Sequence, residues 1–459
     1  MARIGLSFLI YSLLLIAIIS CESFLEVDPP KSKIFRSSVF ASESSADLAV
    51  IGIYSSLLDN VSFASGDASS LTALCGLSAD ELVNKPRNVP YILEFEENDL
   101  SAINSNVLSL WTSAYKTIYM ANAVIEGLSA SSIDAEVRNN LLGEVYFMRA
   151  FCHFYLINLF GDVPLVTSTD YSTNSKLERT ATYKIYESII DDLTRAEILL
   201  NTEYSSEGRT RVNKESAIAL LARVYLYTNK WDKAEQKATE VINNSMYELT
   251  NLNEVFLANS KEAIWQLRPS QTVTEKGATS EAVMFTPPQV LLNNVLRVEL
   301  VSSFEANDNR FSSWVGKFNA VYHPSKYKQN SINGALTEYS MIIRLAELYL
   351  IRAEARAWLG SLIGSNSAQS DINEIRDRAG LSNTLAVTFD ELILAVEKER
   401  RVELFTEWGH RWFDLKRTGR VDAILDPIKA RWNSSDQLYP IPQDERNKNP
   451  NLNPQNPGY

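Results

Sequence analysis

The stretch EKERRVELFTEWGHRWFDLKR, residues 397 to 417, holds the densest mixture of charged and aromatic side chains in the chain. Carboxylates this close together could form an acid–base pair of the glycosidase kind. That chemistry needs two carboxyls at a defined separation across a cleft. The favoured reading is structural. Glu397 and Arg401 stand four apart in the favourable order and Arg400 and Glu403 three apart, as ion pairs on a helix do. Trp408, Trp412 and Phe413 would then lock the segment into the protein. His153, His323 and His410 are far apart in sequence and show no metal-ligand spacing, so no metal and no cofactor is expected. Neither G-x-S-x-G nor G-x-x-x-x-G-K-[ST] occurs, which speaks against a serine hydrolase or a P-loop enzyme.

Binding chemistry is the other possibility. A flat aromatic ring covers the apolar face of a pyranose, while nearby amides, carboxylates and cations hydrogen-bond its hydroxyls. Two stretches carry that mixture. LSADELVNKPRNVPYILEF (77 to 95) offers Asp80, Glu81, Asn84, Arg87 and Tyr91. FSSWVGKFNAVYHPSKYKQN (311 to 330) offers Trp314, Tyr322, Tyr327 and Lys328. These nine are the candidate ligand contacts, although ordinary loop packing is the favoured reading of each residue taken singly. Trp111, Tyr115, Tyr146, Tyr155, Tyr225 and Tyr349 recur at helical spacing and read as core.

The elements that must position these groups read mostly as helices. SADLAVIGIYSSLLDN, from Ser45, sets Leu48, Ile51, Tyr54 and Leu58 on one stripe. Residues 60 to 105 have little period and read as a long loop region. Helices follow over 110–128, over 139 to the GDVP stop at 161–164, and over 183–200. In AIALLARVYLYTNKWDKAEQKATEVI (217 to 242), Ala222, Tyr225 and Ala234 have tetratricopeptide spacing, with Asn229–Lys230 as the turn. A second helix pair reads over 342–360 and 373–381. EAIWQLRPS alternates like a strand, with Ala263, Trp265 and Leu267 on one side and Ile264 and Gln266 on the other. Residues 310–330 read as loop, and the proline-rich end as extended chain.

The 459 residues suffice for a large core. A net charge of −12 repels phosphate backbones, so no nucleic-acid partner is expected. Three cysteines, Cys21, Cys75 and Cys152, cannot build a disulfide framework. Cys75 and Cys152 could pair in an oxidising compartment, but two separate buried thiols are the favoured reading. Arg3 and the apolar run 4–19 have the layout of a secretory signal, too short to span a membrane comfortably. Ser20–Cys21 closes the run and resembles a bacterial lipobox, with Ile18 where leucine is usual. Cys21 is thus expected to become the lipid-bearing first residue of the mature chain. More than one acyl chain makes such an anchor stable.

IIRLAELYLIRAEARAWLG, NEIRDRAGL, EKERRVELFTEWGHRWFDLKRTG and LYPIPQDERNKNPNLNPQNPGY follow one another in an order that resembles the SusD/RagB family of Bacteroidetes. CESFLEVDPP and RAFCHFYLINLFGDVPLV resemble its mature N-terminus and first repeat helix. The resemblance runs over nearly the whole chain. It implies a mostly α fold: a tetratricopeptide-like helical hairpin scaffold with an irregular, loop-rich lobe and a few short strands. The implied organisation is a signal peptide over 1–20, an N-terminal helical region over 21–260 and a C-terminal region over 261–459 interleaved with the first. It implies no catalysis. The protein would sit on the outer membrane facing the exterior, bind an oligosaccharide or less often a peptide, and deliver it to a SusC-type TonB-dependent barrel transporter. The rival expectations are a surface glycoside hydrolase and a helical-repeat scaffold that assembles other proteins.

Overall fold

The computed structural model describes residues 36–58, 62–85, 87, 89–269, 277–287, 294–331 and 334–459. Cys21 and the apolar run before it lie outside the described residues. Helix α1 (Glu43–Leu57) begins where Ser42, in extended conformation, accepts the Ser45 backbone N–H on its side chain. It does not bury the expected stripe. Ala46, Val50, Ile53, Tyr54 and Leu57 face the core, whereas Leu48 is 63% and Ile51 38% exposed. Apolar residues run most of the way round this helix, so its period allows two stripes and the neighbouring helices choose one.

The expected loop over 60–105 is largely structured. It holds α2 (Leu71–Ser78), β1 (Leu82–Asn84) and α3 (Pro90–Glu97). All eight residues of α2 are buried, and a helix buried on every side has no polar face to give it a period. Pro90 at the first turn of α3 was a usable start signal.

Two long helices follow, α4 (Ser105–Ser129) and α5 (Ala135–Phe160), capped by Asn104 and Asp134. Gly161 ends α5 at φ 73°, a left-handed conformation that glycine adopts without a Cβ penalty. Helix α6 (Thr182–Leu199) packs on α5. The hairpin of α7 (Lys214–Tyr227) and α8 (Trp231–Ile242) turns at Asn229, also left-handed at φ 55°. Ala222 and Ala234 are fully buried, which lets the two helices approach closely, and Tyr225 is buried beside them.

The second helix pair is α9 (Leu345–Trp358) with α10 (Ala368–Arg378), and α9 also packs against α8. Helices α11 (Phe389–Glu403) and α12 (His410–Arg417) complete the C-terminal side. The strands form antiparallel pairs. β2 (Ala263–Leu267) pairs with β6 (Ser340–Arg344), and all five β2 residues are buried, so both of its faces are covered, not one. β3 (Asn294–Leu296) pairs with β1. The stretch 310–330, expected as loop, contains the short helix Asn309–Trp314 and a hairpin of β4 (Val315–Phe318) and β5 (Val321–Pro324). The proline-rich end is not wholly extended: Gln443–Lys448 is helical after Pro442.

One hydrophobic core runs from Phe40 to Leu452, so the first and last parts of the described chain share it. Cys75 and Cys152 are separate buried thiols. No helix among the described residues is long and apolar enough to cross a membrane.

Candidate functional site

Strand β3 brings the two predicted binding stretches together, because it pairs with β1 and packs beside β5. Their side chains then divide by burial. Asp80 is buried under two arginines: Arg411 donates to it at 2.7 and 3.1 Å, and Arg401 lies 2.6 Å away. Glu81 is buried beside it and accepts the Thr406 backbone N–H at 3.2 Å. Burial, reinforced by the Asp80 charge, pushes the Glu81 carboxyl up to about 8. Asn84 is buried in β1, where its amide donates to Asn294 at 3.1 Å. Trp314 is wholly buried and donates its indole N–H to the Leu252 carbonyl at 2.9 Å. Tyr327 is buried with its hydroxyl accepting the Met341 N–H at 2.8 Å.

These five are tied into the interior. Four of the nine reach solvent. Arg87 sits in the left-handed region at φ 61° and is paired with Glu96 and Glu97. Tyr91 is 51% exposed in the first turn of α3. Tyr322 is half-buried against Phe311, with the Lys317 ammonium 5.4 Å from its ring centre. Lys328 is exposed and donates to Asn253 at 2.7 Å.

The charged segment 397–417 is paired mostly through space, with Arg417–Asp414 at 2.8 Å a pair along α12 itself. Arg401 goes to Asp80, Arg400 to Asp414, and Glu397 to Arg411 at 3.3 Å. Glu403 lies under Arg310, Arg344 and Arg378. Burial alone would raise its carboxyl, but those three guanidiniums together hold it well below the usual range. Trp408, Trp412 and Phe413 are buried, as the structural reading of this segment expected. Glu403, enclosed by those guanidiniums and fully buried, has no open face toward a substrate.

A hollow of about 350 Å³ opens beside α4, within the usual size of a small-ligand site. Trp111 and Tyr115 form its apolar wall, with ring centres 5.0 Å apart. Tyr115 is fixed by donating its hydroxyl to the Pro164 carbonyl at 2.8 Å. Tyr171, 83% exposed, stands at the rim on the short helix Tyr171–Asn174. Asn174, Glu445 and Lys448 bring polar groups to the same space, the last two paired at 2.7 Å. Rings and hydrogen-bonding groups converging on one hollow suit a polyhydroxylated ligand. Helical spacing marked Trp111 and Tyr115 as core, and so they are: Trp111 is only 3% exposed and Tyr115 is half-buried against the same core, both at the edge of the hollow. Tyr171 was legible only as a large aromatic isolated in polar sequence, YSTN after Asp170.

Residues 23–226 match the family described as "Starch-binding associating with outer membrane", and residues 266–459 match the SusD family. SusD-like protein P25 of Formosa agariphila is 26% identical over 97% of this chain and 97% of its own. Among solved structures, a SusD superfamily protein from Bacteroides vulgatus superposes with a TM-score of 0.81 at 21% identity, covering 91% of this chain and 99% of its own. A laminarin-binding SusD-like protein superposes at 0.78 and 24% identity, covering 92% of this chain and all of its own. Likeness at that identity establishes a shared fold.

Proposed function

The chain belongs to the SusD/RagB family, and on that premise we propose that it captures oligosaccharides at the cell surface without cleaving them. In this reading it hands them to a SusC-type TonB-dependent barrel transporter in the outer membrane. Acyl chains on Cys21 tether it there. The observation that carries the proposal is the match of residues 23–226 to a family described as starch-binding and associating with the outer membrane. The hollow at Trp111, Tyr115 and Tyr171 supports it as a seat for a sugar ring. Arg87, Tyr91, Tyr322 and Lys328 are proposed as a second set of ligand contacts.

The binding half is tested by calorimetry of the purified chain with laminari- and malto-oligosaccharides, alongside an assay for new reducing ends. Saturable binding without turnover is expected; turnover would move the reading to a glycoside hydrolase. The delivery half is tested by isolating the protein from outer membranes. A stoichiometric barrel transporter is expected, and only unrelated partners would leave a protein-assembly scaffold.

A further inference from the structure

We infer that the cavity between α11 and α12 binds a compact oxyanion group, a carboxylate or sulfate, on the two amino groups of Arg400. The cavity measures about 100 Å³ and is lined by four arginines, Arg400, Arg411, Arg417 and Arg420, with Glu354, Glu397 and Asp414. Two of the arginines are fully engaged. Arg417 places both amino groups on Glu354, at 2.5 and 2.7 Å, and its Nε on Asp414 at 2.8 Å. Arg411 grips Asp80 with two nitrogens and Glu397 with the third.

Arg400 differs. Its Nε donates to Asp414 at 2.7 Å, but Nη1 and Nη2 have no hydrogen-bond partner among the described residues, although the side chain is only 2% exposed. Leaving buried charged donors unsatisfied is costly, so a partner is expected in the cavity they line. Two parallel N–H groups on one planar fork match the two oxygens of a carboxylate or sulfate. Arg420 adds a further unsatisfied Nε, 3.5 Å from Glu397 and outside hydrogen-bond geometry.

The local charge agrees. Five guanidiniums, those lining the cavity and Arg401, face four carboxylates, Glu354, Glu397, Asp414 and Asp80, while nearby Glu347 is matched by Arg223 and the Glu81 carboxyl, raised to about 8, carries no charge at neutral pH. One positive charge is left for an anion. Access is present too. A wider hollow of about 470 Å³ shares Leu394, Glu397, Arg411 and Arg420 with the cavity and brings Lys398 and Arg401 to its wall. Glu305 lies in that wall too, paired with Lys398 at 2.8 Å, so the approach is of mixed charge. The inner cavity takes a few water-sized groups and no whole pyranose, so the occupant is a free oxyanion or the acidic substituent of a larger ligand.

The test is a crystal of the chain soaked in selenate, an X-ray-detectable analogue of sulfate. Anomalous density within hydrogen-bond distance of both Arg400 amino groups is expected. Sulfate titrated at constant ionic strength should raise the melting temperature of the native chain, and Arg420→Gln should weaken that effect about tenfold. Arg400→Lys keeps the charge but loses the fork and should abolish it; if that variant does not fold, Arg420→Gln still decides. A disaccharide ending in glucuronic acid separates the sources. Its carboxylate seated on Arg400 identifies a sugar acid, whereas sulfate bound with the disaccharide excluded identifies a free ion. Water alone at Arg400, or selenate only on exposed lysines, would overturn the inference.

Discussion

Arg223 of α7 and Glu347 of α9 meet as a two-toothed ion pair in the core, Nε to Oε1 at 2.7 Å and Nη2 to Oε2 at 2.5 Å. Both side chains are buried, and the Tyr155 hydroxyl accepts from the third nitrogen at 3.2 Å. The pair therefore ties the first tetratricopeptide-like hairpin to the second. Removing one partner leaves a buried charge unmatched, which costs about 3–5 kcal/mol. Arg223→Met alone should lose roughly that much in urea unfolding, and adding Glu347→Leu should recover most of it. A double variant no more stable than the single one would show that the pair is not what joins the hairpins.

Two buried glutamates should pull the acid and alkaline limbs of stability in opposite directions. Burial would raise Glu347, yet Arg223 and the neighbouring positive charges hold it at about 2. A carboxyl lower in the folded than in the unfolded chain contributes stability above its unfolded value, near 4.5, and that stability is lost as pH falls towards 2. Glu81, raised to about 8, has the reverse sign. Its contribution is complete below about 4.5 and is lost as pH rises through 8. Glu81→Gln should flatten the decline in melting temperature between pH 5 and 8, and an unchanged profile would mean that the carboxyl ionises freely.

Gly409 joins the charged segment to α2. It lies at φ 73°, and a Cβ there would stand 2.9 Å from Cys75 Cβ and 3.0 Å from its sulfur. Thr406 and Trp408 also have positive φ, at 50° and 48°, so the turn as a whole is held in an unusual conformation. Gly409→Ala should cost about 1–2 kcal/mol from the left-handed backbone alone, with the contact adding to it. Urea midpoints measure this directly, and oligosaccharide affinity should not change.

Tyr171 and Lys448 are at or near the surface around the hollow, with no part in the core. Tyr171→Ala and Lys448→Ala should each weaken oligosaccharide binding about tenfold, ~1.4 kcal/mol, and leave the melting temperature within a degree or two. Tyr91→Ala and Lys328→Ala, measured beside them, report on the other proposed contacts. Loss of affinity confined to that second pair would place the seat near β1 and β5 instead of beside α4.

Much of this molecule was readable from one dimension. Helices α4 to α9 follow from apolar spacing and from the Gly161 and Asn229 stops, because a helix satisfies its hydrogen bonds locally and its period survives in the residue order, although α4 and α5 start four or five residues earlier than that spacing showed. The small residues Ala222 and Ala234 marked where two helices cross for the same reason. Of the short elements buried on all sides, α2 carries no such period and escaped, and β2 was read as a strand but without both of its faces covered. Burial and partnership belonged to the tertiary structure. Asp80 and Arg411 are 331 positions apart, and nothing in the spacing of either shows that they meet. The near-sequence pairs Glu397–Arg401 and Arg400–Glu403 were available, yet long-range partners took each of these side chains, since a buried guanidinium is stabilised by whichever carboxylates the packing brings within reach. Residue order thus decided which segments are helical, and folding decided which side chains face a ligand.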